Sequence, residues 1–230
     1  MIRFIVTSAL NTPHGVFATE QREQQQLQTY ASIRKLFPKA RITTLEASPV
    51  RISAEQTRRI MIHSDDILFY SADQYLQDCY RRWDHEAIKK NLGETWMISQ
   101  ALPDMEISAE DAVIKLSGRY RLRDDFQLNI KPGMVTLAGP SPTGNPAIMS
   151  SISHWYSCRC VAWAGDIHYD MVRYYLDMHS EIREHVSTGR YTDTEHALYH
   201  CIPKEIINNT FPGTVGIEGE LAPNGETVRD

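Results

Sequence analysis

The 230-residue sequence has few cysteines, no long apolar run and no excess of positive charge, and each shortage excludes something. Its four cysteines, Cys79, Cys158, Cys160 and Cys201, are spread too unevenly for the disulfide framework of a small secreted domain. No stretch of about 18 apolar residues and no leader-like apolar segment occurs, so the sequence predicts a cytoplasmic protein with reduced thiols and no membrane span. Lys and Arg number 24 against 29 Asp and Glu, a formal charge of -5, which removes the global basic field of non-specific nucleic-acid binders. A local basic groove remains allowed. No G-x-G-x-x-G follows the first apolar run and no G-x-x-x-x-G-K-[ST] appears, so the dinucleotide and P-loop readings fall. Cys158-x-Cys160 lacks the second Cys pair of a structural zinc site. Cys201, with His196 and His200 beside it, is an improvised partner set, and buried small apolar cysteines are the competing explanation.

What is present is ordinary globular material, 42% hydrophobic and 23% charged, enough for one substantial core. Short apolar runs at 2–10, 40–48, 66–72 and 112–122 read as strands. Between them, 19–37 reads as a helix with Leu27, Tyr30, Ile33 and Phe37 on one stripe and Thr19 as its cap. A second helix opens at Ser53, and a third spans 91–102. This alternation predicts an α/β fold, a mostly parallel sheet covered by helices on both faces. From residue 127 the pattern loosens into a Pro- and Gly-rich stretch with strands at 134–138 and 160–164. Helices at 170–186 and 192–202 follow, then a hairpin around Asn224-Gly225. The expectation is a single domain over 1–230, its regular part ending near 126.

In parallel sheets, ligands bind beyond the carboxyl ends of the strands, where loops and helix N-termini converge. The loop after the first strand offers Thr7, Ser8 and Asn11, small groups suited to a base and ribose, and Arg22 on the next helix suits a phosphate. A capped loop and a solvated arginine explain them equally. In "VIKLSGRYRL", Ser117, Gly118, Arg119 and Tyr120 offer close backbone approach, a guanidinium fork and a stacking face. Lys115 inside this apolar strand must meet a cleft or a carboxylate. Lys90 and Glu94 are read as the opening of the preceding helix, where free amides hold anions or sugar oxygens. Gly165, Asp166 and His168 follow the strand at 160–164. Asp193 and Glu195 fall in a first helical turn, as a general base or as a cap with dipole stabilisation.

"REQQQLQTYASIRKLFPKARITTLEAS", "NLGETWMISQAL" and "VIKLSGRYRL", in this order, resemble GT-A-type glycosyltransferases, in particular small bacterial and viral sugar-transferase-like proteins of the WavE and lipopolysaccharide-synthesis kind. The resemblance covers residues 1–126 and continues beyond only as an order of elements. It implies a nucleotide-sugar-binding half over 1–126 and an acceptor-binding half over 127–230. By the resemblance, Thr7, Ser8, Asn11, Arg22, Lys90, Glu94, Lys115, Ser117, Gly118 and Tyr120 lie about the donor, Asp166 and His168 about the acceptor, and Glu195 or Asp193 serves as base. Relatives hold a divalent metal, manganese or magnesium, on an Asp-x-Asp pair after the fourth strand. Ser117-Gly118-Arg119 stands in that place here, which leaves Arg119 as the group that neutralises a leaving diphosphate.

A glycan or lipid-linked acceptor follows from the resemblance. A modified DNA base is the rival that the acidic charge disfavours. A nucleotide- or sugar-binding module that has lost catalysis is the alternative from another class.

Overall fold

The computed structural model describes residues 1–13, 15–144, 152–208, 215–221 and 224–229. The chain alternates strand and helix at first: β1 (Ile2–Ser8), α1 (Thr19–Leu36), β2 (Arg41–Glu46), α2 (Ala54–Met61), β3 (Asp66–Phe69), α3 (Gln74–Arg82), α4 (Glu86–Ala101) and β4 (Ala112–Ser117). A less regular part follows, with β5 (Tyr120–Leu122), β6 (Val135–Pro142), β7 (His154–Ala164), α5 (His168–Ser187), α6 (Thr194–Cys201), β8 (Ile207–Asn208), β9 (Ile217–Glu220) and β10 (Thr227–Arg229).

Seven strands form one sheet in the order β3-β2-β1-β4-β7-β6-β8. β3, β2, β1 and β4 are parallel, β7 runs antiparallel to both β4 and β6, and β8 is parallel to β6. Side chains alternate across the sheet. Phe4, Val6, Ile42, Ile114 and Leu116 face Tyr30 and Ile33 of α1 and Ile60 of α2. Ile5, Leu45, Val113, Val161 and Trp163 face α3 to α6 through Leu76, Leu92, Ile98, Met171, Met178 and Leu198. Helices on both faces therefore hold, as the βα alternation predicts.

Four local expectations change. The run 112–122 is two strands: β4 ends at Ser117, and after Gly118-Arg119 the chain enters β5 of a second, three-stranded sheet ordered β10-β9-β5. The helix expected at 91–102 begins at Glu86, because His85 and not Asn91 is its cap position. α3 was not anticipated, although Asp73 caps it by accepting from Leu76 N at 2.9 Å. Ser53 does cap α2 through Gln56 N at 3.1 Å, whereas Thr19 is the first residue of α1 and Ala18 its cap position. The predicted hairpin is β9 and β10, paired antiparallel, with residues 222–223 of its turn outside the described residues.

Candidate active site

The carboxyl ends of β1 and β4 adjoin, with Thr7 opposite Ser117. Gly118 N donates to the Thr7 carbonyl at 2.9 Å, and a Cβ on Gly118 would stand 2.9 Å from that same oxygen. The glycine is therefore set by backbone packing against β1 and not by the approach of a ligand, a correction to the expectation. Thr29 of α1 fixes the bend, its hydroxyl lying 3.0 Å from the Gly118 carbonyl and 2.9 Å from that of Tyr120. Tyr120 is buried in the core, so it offers no open stacking face. The Arg159 guanidinium lies 5.8 Å from its ring centroid.

Arg119, between them, is partly exposed, and its guanidinium makes no hydrogen bond or ion pair among the described residues. Arg22 is buried on the first turns of α1, and its Nε donates to the Phe17 carbonyl at 3.1 Å. Burial, and then the like charge of Arg119, hold the Arg22 guanidinium below its usual range, with Glu86 opposing them. Two guanidiniums thus lie in electrostatic reach of one another at the end of β1 and β4, with the Glu86 carboxylate offsetting part of their repulsion.

Lys115 points to the α4 and α5 face and is fully buried. Its Nζ lies 2.5 Å from Glu94 Oε1 and 2.7 Å from the Cys158 carbonyl. This buried pair answers the cost of a lysine in an apolar strand. Burial lowers the Lys115 ammonium, but the facing Glu94 outweighs it and raises the net value. Burial likewise raises Glu94, and Lys115 and Lys90 outweigh it and hold the carboxyl below its usual range. The start of α4 at Glu86 also corrects the expectation for Lys90 and Glu94. They lie in the helix interior, where the amides bond within the helix, so no free backbone donors are available there.

With α4 begun at 86, Glu86, Lys90 and Glu94 fall four residues apart on one face. That face meets the N-terminus of α6. Lys90 is exposed and stands among charges. Desolvation pulls its ammonium down, and the carboxylates of Glu195 and then Glu94 hold it above the usual range against Arg119. Glu195 accepts from the Cys158 thiol at 3.0 Å. Burial and then the carboxylates of Glu195 and Glu94 push that thiol far up, so it stays protonated.

Asp193 caps α6, taking His196 N at 2.9 Å and His196 Nδ1 at 2.5 Å, while His196 Nε2 lies 2.9 Å from Thr143 Oγ1. Burial and the adjacent Glu195 raise its carboxyl above the ordinary range against the bonds from His196. Asn91 Oδ1 accepts from Thr194 Oγ1 at 3.2 Å and ties α4 to this cap.

The β1 loop residues are mostly occupied by one another. Ser8 Oγ contacts Gln26 Oε1 at 2.6 Å and also Glu46 of β2. Asn11 N donates to Ser48 Oγ at 2.8 Å, and the Asn11 side chain pairs with Gln56. Thr7 is buried beneath them. Glu46, Gln26, Ser48, Glu86 and Tyr191, whose hydroxyl takes Asn91 Nδ2 at 3.4 Å, are polar groups of this region that sequence reading missed, and Cys158 was weighed there only as a metal ligand or a buried apolar group. Glu-x3-Lys-x3-Glu over 86–94 was the available signal for Glu86.

Asp166 and His168 are not part of the cluster. Because β7 is antiparallel, Ala164 at its end pairs with Ala112 at the start of β4, the opposite end of the sheet. There the exposed Asp166 takes Gly133 N at 2.8 Å. His168 is buried with Nε2 2.9 Å from the Leu102 carbonyl. Gly165 is required by the chain itself, since a Cβ would stand 1.9 Å from the Ser108 carbonyl.

A divalent cation does not fit at the end of β4. Among the described residues, the carboxylates of this region are Glu94, neutralised by Lys115, Glu195, beside Lys90, Asp193, engaged by His196, Glu46, held by Ser8 and Ser48, and Glu86, in reach of Arg22. No carboxylate pair stands at Ser117-Gly118-Arg119.

No family model and no curated protein matches the sequence. Solved structures do match the fold. A galactosyltransferase, LgtC, in complex with donor and acceptor sugar analogues aligns with a TM-score of 0.55 at 10% identity, over 89% of this chain and 72% of that one. An active-site mutant of LgtC aligns at 0.56 and 8% identity, over 89% and 71%. The bifunctional glycosyltransferase WbbM aligns at 0.52 and 6% identity, over 91% of this chain and 38% of WbbM. The mixed, mostly parallel sheet with helices on both faces is thus the α/β fold of these GT-A glycosyltransferases.

Proposed function

We propose that the chain is a nucleotide-sugar-dependent glycosyltransferase that neutralises the departing diphosphate with side-chain cations. The observation that carries this reading is the Arg22 and Arg119 couple at the carboxyl ends of β1 and β4, with Arg119 free of protein partners among the described residues. The glycosyltransferase fold of the structural neighbours, and the likeness of three segments to lipopolysaccharide-synthesis sugar transferases of the WavE kind, support sugar transfer to a glycan or lipid-linked hydroxyl.

In this reading the diphosphate lies against Arg119 and Arg22, and Lys90 faces the sugar side of the cleft. The bond from the sugar C1 to the diphosphate oxygen breaks and a bond from C1 to the acceptor oxygen forms. The acceptor proton passes to Glu195, with Asp193 as the alternative base. Fixed cations aimed at charge that develops on the leaving group lower the barrier without reorganisation, a contribution of about 3 to 4 kcal/mol per donor removed. Lys115 acts at one remove by holding Glu94 in place.

Arg119→Ala should keep its circular-dichroism spectrum and thermal midpoint and lose donor turnover by about 100-fold or more. Donor binding and turnover equal to the parent chain would overturn the assignment. Binding to duplex DNA across a salt series separates the acceptor classes, because phosphate contacts impose a steep slope.

A further inference from the structure

Glu181 of α5 meets His200 and Cys201, the last two residues of α6, apart from the residues of the proposed transfer. One nitrogen, one sulfur and one carboxylate oxygen lie within 4.8 Å of one another. Glu181 Oε2 is 2.8 Å from His200 Nδ1 and 3.1 Å from Cys201 Sγ. Its other oxygen, Oε1, is buried with no hydrogen-bond partner among the described residues. The His200 side chain is 66% exposed and opens the cluster to solvent. Asp177, one helical turn before Glu181 and exposed, lies in electrostatic reach of Cys201.

We propose that Glu181, His200 and Cys201 form a site for a borderline-soft divalent transition ion, Zn(II) by the chemistry of the set. Thiolate, imidazole and carboxylate are the three ligand types zinc takes, and three protein ligands with an open side make a four-coordinate site that a water or Asp177 completes. Binding converts the Cys201 thiol to a thiolate, with its proton released to solvent, and replaces the thiol-to-carboxylate bond with two metal bonds. It also gives the orphaned Glu181 oxygen a partner.

The charges facing the thiol are Glu181, Asp177 and Lys204. The Lys204 ammonium is held over the Tyr199 ring, 3.6 Å from its centroid, and by the Tyr199 carbonyl. The site pins the C-terminus of α6 to α5. It lies roughly 8 Å along the helix axis from Glu195, far enough to be a separate site on the same helix.

Co(II) replaces zinc in such sites and reports through absorption. Titrated into the reduced full chain, it should bind at one equivalent with a thiolate-to-cobalt band in the near ultraviolet. Cys158→Ser should keep that band and Cys201→Ser should lose it. His200→Ala, at an exposed position that does not threaten folding, should bind at least about tenfold more weakly. Zn(II) at one fixed concentration should raise the thermal midpoint of the parent chain more than that of His200→Ala. No band, a band unchanged in Cys201→Ser, a band lost in Cys158→Ser, or equal thermal shifts in both chains would each overturn the site. All these readouts are independent of sugar transfer.

Discussion

The parallel half of the sheet and its antiparallel half deliver their side chains to opposite ends. In β1 to β4 every strand ends on one side, so residues that follow a strand in sequence gather at one end of the sheet. In β7 the direction reverses. Cys158, early in the strand, arrives beside Lys115 and Glu195, and Asp166 and His168, which follow the strand, are carried to the far end. The same rule of proximity to a strand end therefore brings the residues it names together on one side of β4 and separates them on the other.

The largest test of this contrast is Arg119→Ala at the parallel end, with transfer reduced about 100-fold or more at unchanged stability. Next is Lys115→Met, which takes from the Glu94 carboxylate its bonded cation and leaves it only the more distant Lys90, and should destabilise the fold by about 3 kcal/mol in urea unfolding. The double change Lys115→Met, Glu94→Leu should recover most of that loss. Equal losses in single and double variants would show that the pair carries no coupling.

Gly118→Ala should cost about 1–3 kcal/mol, since its Cβ meets the Thr7 carbonyl at 2.9 Å. A neutral result would return the glycine to the role of admitting a ligand.

A smaller effect belongs to pH. The folded Glu94 carboxyl is held below its usual range, so its stabilisation is complete above the unfolded value, near 4.5, and is lost as pH falls through the lower folded value. Thermal midpoints measured downward from pH 5 should fall more steeply for the parent chain than for Glu94→Gln. Smallest of all, Asp166→Ala should change stability by no more than about 0.5 kcal/mol and leave transfer kinetics as they are. Loss of transfer there would restore its acceptor role and break the contrast.

How much of this was legible in the sequence varies with how local the cause is. The strands β1 to β4 and the two-faced helix cover follow from apolar runs and caps such as Ser53, because each is decided within a few residues. Lys115 declared itself as a lysine in an apolar strand, and the carboxylate it required was Glu94, one helix earlier. The start of α4 was misplaced because neither His85 nor Glu86 is a strong cap, and with it the four-residue rhythm of Glu86, Lys90 and Glu94 was lost. Cys158 was beyond local reading altogether. Its place depends on the direction of β7, which is settled by the order β4-β7-β6 across the sheet and by no residue near the cysteine.

The succession Arg22, Arg119, Lys90, Glu195, each within electrostatic reach of the next, gives the candidate site a polarity. Its cationic pole sits on the strand ends and its anionic pole on the first turn of α6. A molecule with an anionic tail and a neutral head has one low-energy heading between such poles, tail toward β1 and head toward α6. Under the proposed transfer, that heading points the bond to be broken toward Glu195 before any contact with the head group is made. Orientation would then be a property of the whole charge pattern, and exchanging the signs at Arg119 and Glu195 together would turn the bound molecule end for end.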